Sequence, residues 1–181
     1  MHTYLLLYNP YLKFRLGSLQ EYVSVPWNTT AVYVLPDSIP TRIAAAALIQ
    51  GLTALVNVTE SYNVQKGDSI LIHTVAGGVG LLLAQMAKAR AATVIGTTST
   101  LEKAVLAKAH GADHVILYKN ENTVERVLEL TDGEGVNVIY DGVGQATYAI
   151  DANSLGSILC VLQVRRRFQD DQTEGNHCYL W

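Results

Sequence analysis

The run from Ser69 to Lys103 constrains this chain more than any other stretch. Ile70 to Ile72 is a short apolar run suited to a buried strand, and Ala76-Gly77-Gly78-Val79-Gly80 is suited to a tight turn. Leu81 to Lys88 are strong helix formers with apolar positions at helical spacing. A second β-like run follows at Thr93 to Ile95. Strand, glycine-rich turn, helix and strand make a βαβ unit, the usual setting for a dinucleotide pyrophosphate. Glycines let the backbone approach phosphates closely and let the helix pack tightly on the strand. The helix N-terminus then offers unpaired N–H groups and partial positive charge.

One position departs from the Gly-x-Gly-x-x-Gly pattern: its first glycine is Val75, bulkier than the turn prefers. An ordinary βα turn without a ligand is the competing reading. The second strand bears on which dinucleotide would fit. An NAD site places Asp or Glu about 20 residues past the loop, to accept from the ribose 2′-OH. Here Val94-Ile95 runs into Gly96-Thr97-Thr98-Ser99, with no carboxylate. Hydroxyls there can donate to a 2′-phosphate, and Lys103 follows one helical turn on, which favours NADPH over NADH. Most lysines are solvated surface groups, and that is the plain alternative for Lys103.

A chain of 181 residues, 49% of them hydrophobic, is long enough for a proper core. A net charge of −3 argues against a basic nucleic-acid-binding surface. The two cysteines, Cys160 and Cys178, form no Cys-x-x-Cys pair and lie in no histidine cluster, so neither a zinc site nor a disulfide framework is expected. Tyr4 to Tyr8 is too short for a signal-peptide core, and no segment is expected to reach membrane-spanning length. A soluble, cytoplasmic protein is the expectation.

Along the chain, residues 1–16 are apolar and aromatic without a clear period or an obvious partner. Glu21 to Val25 reads as a strand end, and Thr41 onward as an alanine-rich helix that restarts after Gly51. Lys66-Gly67-Asp68 reads as a turn. After the βαβ unit come a helix from Leu101 to Ala109 closed by Gly111, a strand over Asp113–Leu117, and a helix over Asn122–Leu130. A strand over Val136–Tyr140, a short helix after Gln145 and a strand over Ser157–Val164 complete the reading. Such alternation predicts an α/β fold with a parallel sheet covered on both faces. Ligands of such sheets sit beyond the carboxyl ends of the strands. That singles out Tyr118 after the third strand and Asp141-Gly142-Val143-Gly144 after the fourth. Asp141 suits either a general base or, more commonly, a cap on the next helix. Thr53 could reach a cofactor or simply be packed, and His73 reads as a strand-end histidine rather than a proton donor.

Gln50-Gly51-Leu52-Thr53-Ala54-Leu55, Lys66-Gly67-Asp68, Ala76 to Gly80, Gly111 to Ile116 and Asp141 to Gly144, with Gly17 to Tyr22 upstream, occur here in one order. In that order the chain resembles the zinc-free, zeta-crystallin-like quinone oxidoreductases of the medium-chain dehydrogenase/reductase superfamily, roughly from Gly17 to Thr147. The resemblance implies a Rossmann-type doubly wound parallel sheet, here incomplete at about five strands, beside a remnant of an N-terminal GroES-like β-domain. Expected divisions are 1–40 for the remnant of the substrate-binding domain, 41–164 for the dinucleotide domain, and 165–181 for an unrelated, disordered tail. It implies NADPH-dependent reduction of a quinone or conjugated carbonyl compound, in a homodimer. Ala76, Gly77, Gly78, Val79, Gly96, Ser99, Lys103 and Tyr118 would hold the adenosine phosphates, with Thr53, Gly142 and Val143 nearer the nicotinamide. No catalytic side chain and no metal ligand is assigned.

The chain reads as truncated at both ends, with a sixth strand and most of the substrate domain lost. That leaves a second expectation, a non-catalytic dinucleotide-binding fragment without a complete active site. RNA binding in the same cleft is a third, opposed by the acidic balance.

Overall fold

The computed structural model describes residues 4–7, 31–144, 147, 159–162 and 178–180. The chain divides into two compact units, Met1–Ile49 and Gln50–Trp181. In the first, β1 (Tyr4–Leu7) pairs antiparallel with β2 (Ala31–Val34), Tyr4 opposite Val34. Within the opening segment, which offers no obvious partner in sequence, Tyr4–Leu7 thus has one. The strand end expected over Glu21–Val25 lies outside the described residues.

Helix α1 runs unbroken over Thr41–Val56 and continues as a π-helical turn, Asn57–Ser61. Gly51 therefore does not interrupt the helix. A glycine weakens a helix interior by roughly 1 kcal/mol without breaking it. The unbroken run Thr41–Ser61 also corrects the expectation about membrane-spanning length. Its 21 residues are long and apolar enough to cross a membrane by length and composition alone. Ala54, Asn57 and Val58 on it are nevertheless buried, Ala54 and Val58 within the core of the second unit.

The second unit is built on a six-stranded parallel sheet. Its strands are β3 (Ser69–Ile72), β4 (Thr93–Thr98), β5 (His114–Leu117), β6 (Val138–Asp141), β7 (Leu159–Leu162) and β8 (Cys178–Leu180). They lie in the order β5-β4-β3-β6-β7-β8. The chain builds outward from β3 in one direction, then crosses back and builds outward from β6 in the other, which is the Rossmann order. The sixth position is filled, against the expectation of about five strands. The charges that made residues 165–181 look like a solvated tail stop at Glu174, and Cys178-Tyr179-Leu180 behind them pair with Cys160-Val161-Leu162. The rest of that stretch lies outside the described residues, as does most of the short helix expected after Gln145.

Alternation along the strands sorts the core into two layers. Ile70, Ile72, Val94, Val138 and Tyr140 face one side, where α2 (Gly78–Ala89) contributes Leu83, Ala84 and Ala87 and α3 (Leu101–Ala109) contributes Ala107. Leu71, Ile95, Ile116 and Ile139 face the other, covered by Val124, Val127 and Leu128 of α4 (Thr123–Leu130). Period two decides which side each residue buries, because successive strand side chains point to opposite faces.

The helix ends follow local rules. After α3, Gly111 takes φ 104°, and the N–H groups of Gly111 and Ala112 bond to Lys108 and Ala107 carbonyls. This is the Schellman closure that a glycine favours. The end of α2 has the same bonds, but Ala91 occupies the left-handed position at φ 61°. Asn122 caps α4, its Oδ1 accepting from the N–H groups of Val124 and Glu125 at 3.0 and 3.4 Å. Asp113 ties α2 to the sheet, accepting from the Val94 N–H at 2.9 Å and pairing with Lys88. Burial alone would raise the Asp113 pKa. The hydrogen bonds from Lys88 and Val94 outweigh it, and the group ends below its ordinary value.

Candidate dinucleotide site

The sheet changes winding direction between β3 and β6, whose register pairs Ile72 with Tyr140. The two glycine-rich turns leave from the carboxyl ends of these neighbouring strands, one strand spacing apart. A crevice at such a switch point is where open α/β sheets take ligands.

The first turn is anchored on both sides before it reaches its glycines. The His73 N–H donates to the Tyr140 carbonyl at 3.0 Å, and the Val75 N–H to the Thr97 carbonyl at 3.1 Å. The sharp change of direction falls on Thr74, which takes φ 52°. A β-branched residue there carries strain that a glycine would avoid. The Thr74 carbonyl accepts from the Gly77 N–H at 2.8 Å, and Gly77, extended, starts α2. Gly77 and Gly78 are exposed at the helix N-terminus, where the leading N–H groups lack intrahelical acceptors.

Each nearby glycine has a separate reason. A Cβ on Gly80 would lie 2.6 Å from the Val75 carbonyl oxygen and 2.7 Å from that of Thr74. Gly80 is thus needed for the close approach of α2 to the loop. A Cβ on Gly96 would lie 2.4 Å from Val75 Cγ1. Val75, fully buried, therefore fills the space left by a glycine on the neighbouring strand. The bulk that looked out of place is accommodated by Gly96, itself buried in β4. A Cβ on Gly78, exposed as it is, would meet the end of the Gln50 side chain.

Ser99, Lys103 and Tyr118 gather at the carboxyl ends of β4 and β5. Ser99 is half-buried after β4, and Thr100 caps α3, its Oγ1 accepting from the Lys103 N–H at 3.4 Å. Lys103 is exposed in the first turn of that helix. The Tyr118 N–H donates to the Thr98 carbonyl at 3.2 Å, which sets the exposed Tyr118 beside the Thr98–Ser99 corner. Ala76 and Val79 are half-buried within the glycine turn.

After β6, Gly142 and Val143 are exposed, and Gly144 takes φ 86°. Asp141 is buried, with both carboxylate oxygens engaged. Oδ1 accepts from the N–H groups of Val143 at 2.7 Å and Gly144 at 3.2 Å, and Oδ2 accepts from the Thr147 hydroxyl. Asp141 thus organises the turn, and the helix it was expected to cap lies mostly outside the described residues. His73 is also buried, its Nδ1 3.0 Å from Thr97 Oγ1. Thr53 is half-buried on α1. The Tyr140 hydroxyl donates to the Asn57 carbonyl at 3.0 Å, fastening the π-helical turn to the sheet. Burial, with Tyr62 and Asp68 nearby, pushes the Tyr140 phenol well above its ordinary value despite Arg90, so it stays a neutral donor.

Sequence reasoning gave Gln50 no role, although it opens the Gln50-Gly51-Leu52-Thr53 motif. It also left unconnected the Val75–Gly96 fit and the Tyr140–Asn57 bond, which join residues distant along the chain.

The chain matches the sequence model of the family described as zinc-binding dehydrogenase over residues 78–160. Among the described residues, no group of three or more His, Cys, Asp or Glu is arranged to hold a metal ion. The chain is 48% identical over 114 residues to a quinone oxidoreductase of Pseudomonas aeruginosa, covering 63% of this chain and 35% of that protein. It is 42% identical over 139 residues to a probable quinone oxidoreductase of Schizosaccharomyces pombe, covering 77% and 41% of the two chains. Among solved structures, the Escherichia coli quinone oxidoreductase complexed with NADPH superposes with a TM-score of 0.72 at 32% identity, covering 83% and 48% of the two chains. The matches thus span less than half the length of these relatives. The ordered motifs, the Rossmann strand order and these likenesses agree: over its dinucleotide-type domain the chain is similar to the quinone oxidoreductases of the medium-chain dehydrogenase/reductase superfamily.

Proposed function

We propose that this chain binds NADPH and serves as an oxidoreductase acting on a quinone or conjugated carbonyl acceptor. One observation carries the reading: an exposed Gly77-Gly78 pair at a helix N-terminus, held at the switch point of a parallel sheet. The residues present fit the cofactor. Ala76 to Val79 would receive the pyrophosphate at the start of α2. Ser99, Lys103 and Tyr118 would hold the 2′-phosphate and adenosine at the ends of β4 and β5, with buried Gly96 shaping the floor beneath them. Thr53, Gly142 and Val143 would border the nicotinamide. That a related quinone oxidoreductase was solved with NADPH supports the same choice.

When bound, NADPH supplies the hydride; the protein's part is to bind, orient and exclude water. Asp141 contributes by stiffening the turn at the nicotinamide end. The acceptor class rests on likeness to the quinone oxidoreductases; a homodimer is what the sequence resemblance alone implies.

The test is a titration of the purified chain with NADPH and NADH, followed by NADPH oxidation with a quinone. NADPH should bind more tightly, and Lys103→Ala should weaken NADPH about tenfold while leaving NADH unchanged, as expected for a lost charge-assisted contact. Equal affinities for the two dinucleotides in the parental chain would overturn the assignment of Ser99 and Lys103. An absence of quinone-dependent oxidation in the NADPH-loaded chain would overturn the enzymatic half.

A further inference from the structure

Gln50 lies one helical turn before Thr53 on α1, and its side chain reaches the first residue of α2. A Cβ built on Gly78 would be 2.6 Å from Cδ, Nε2 and Oε1 of Gln50 alike. Equal distances to all three atoms set the amide face-on against the glycine rather than edge-on. Among the described residues the amide makes no hydrogen bond, although Gln50 is half-buried. A half-buried amide without a protein partner remains open to solvent or to a ligand that displaces it.

Its surroundings indicate what that group is. The start of α2 presents leading N–H groups and the positive end of the helix dipole, both of which attract an anion. A glutamine amide adds two N–H donors beside them without adding charge. The contact also gives Gly78 a reason of its own. A side chain at 78 would collide with the amide and push it away from the mouth of the turn.

We propose that Gln50 is a further dinucleotide-binding residue, its Nε2 donating to the pyrophosphate held at the start of α2. The proposal rests on the NADPH reading above and adds a side-chain donor from α1 to a cradle otherwise made of backbone. Thr53 follows on the same helix face, so α1 would place one polar side chain at the pyrophosphate and the next toward the nicotinamide.

The test compares the parental chain with Gln50→Glu and Gln50→Ala, using NADPH and, as a probe without a pyrophosphate, adenosine 2′-monophosphate. Gln50→Glu keeps the shape but replaces donors with negative charge, and should raise the NADPH Kd at least tenfold. Gln50→Ala should raise it about three- to tenfold, the loss of one hydrogen bond to a charged group. Neither variant should change the Kd for adenosine 2′-monophosphate by more than about twofold. A parental-like NADPH Kd in Gln50→Glu would overturn the proposal, as would tighter binding by Gln50→Ala, which would make the side chain an obstruction. Equal losses for both ligands would mark general damage to the site and also overturn it. If the parental chain binds no NADPH, the dinucleotide reading falls and this one falls with it. If it binds and the variants match it, only the role of Gln50 falls.

Discussion

Val75 and Gly96 should behave as one unit, and a double-mutant cycle can measure it. In Gly96→Ala the new methyl would lie 2.4, 2.6 and 2.8 Å from Val75 Cγ1, Cβ and Cγ2. Ordinary carbon contacts start near 3.5 Å, so the closest approach is short by about 1.1 Å. Val75 cannot simply step back, because it is fully buried and its N–H is bonded to the Thr97 carbonyl at 3.1 Å. Overpacking of this kind costs about 2–3 kcal/mol. For a domain of this size that corresponds to a drop in Tm of about 4–12 °C. Val75→Gly alone should also cost about 3 kcal/mol, from about 0.8 kcal/mol per lost carbon group and the added backbone freedom. In Val75→Gly with Gly96→Ala the clash is gone and the methyl returns some of the lost packing. The pair should then cost about 2–3 kcal/mol rather than the 5–6 kcal/mol of the two changes added together. Urea unfolding of all four chains, with m-values compared, reads this directly. Costs that add to within about 0.5 kcal/mol would refute the idea that the glycine on β4 exists to seat the valine.

Other consequences follow from single contacts. Ala91→Gly should stabilise the chain by about 0.5–1 kcal/mol, since it relieves a left-handed alanine at the end of α2; a lowered Tm would contradict the φ of 61° seen there. Tyr140→Phe should cost about 0.5–1.5 kcal/mol by removing the 3.0 Å donor to the Asn57 carbonyl, which still accepts from the Tyr62 N–H, measured by chemical unfolding. The Asp113 carboxyl is held below its ordinary pKa in the folded chain, so its contribution is present above the unfolded value near 3.9 and is lost as pH falls through the lower folded value. Asp113→Asn should therefore be less stable than the parental chain at neutral pH by under about 1 kcal/mol, the pair with Lys88 being partly exposed, and the gap should narrow below about pH 4. Gly80→Ala should be the most damaging of the glycine changes, because its neighbours are backbone carbonyls that cannot rotate away. Circular-dichroism melts would show it.

Much of this fold could be read from residue order because its signals are local. Ile70 to Ile72, the glycine turn and the Leu81–Lys88 helix follow from period and turn chemistry within about twenty residues. The strands at His114 and Val138 and the Gly111 closure did so too. Two misreadings came from treating a local sign as decisive. Gly51 weakens a helix but did not break α1, and the charges at Arg165–Glu174 obscured the short apolar strand behind them. Site features that escaped notice were those linking distant residues: Val75 to Gly96, Tyr140 to Asn57, and Gln50 to Gly78. No window along one strand or helix contains both members of these pairs, so they emerge only when packing brings them together.

The entry to the β3–β6 ladder works as a ruler for the two glycine-rich turns. The Ser69 N–H donates to Asn137 Oδ1 and the Asn137 N–H returns to the Ser69 carbonyl, both at 2.8 Å. A slip of one residue between these strands would break both bonds and turn Tyr140 to the opposite face, away from Asn57. The spacing of the two turns can therefore change only by whole two-residue steps. A molecule lying across both turns meets an offset between them that is set at the far end of the sheet, by an asparagine at the opposite ends of the strands.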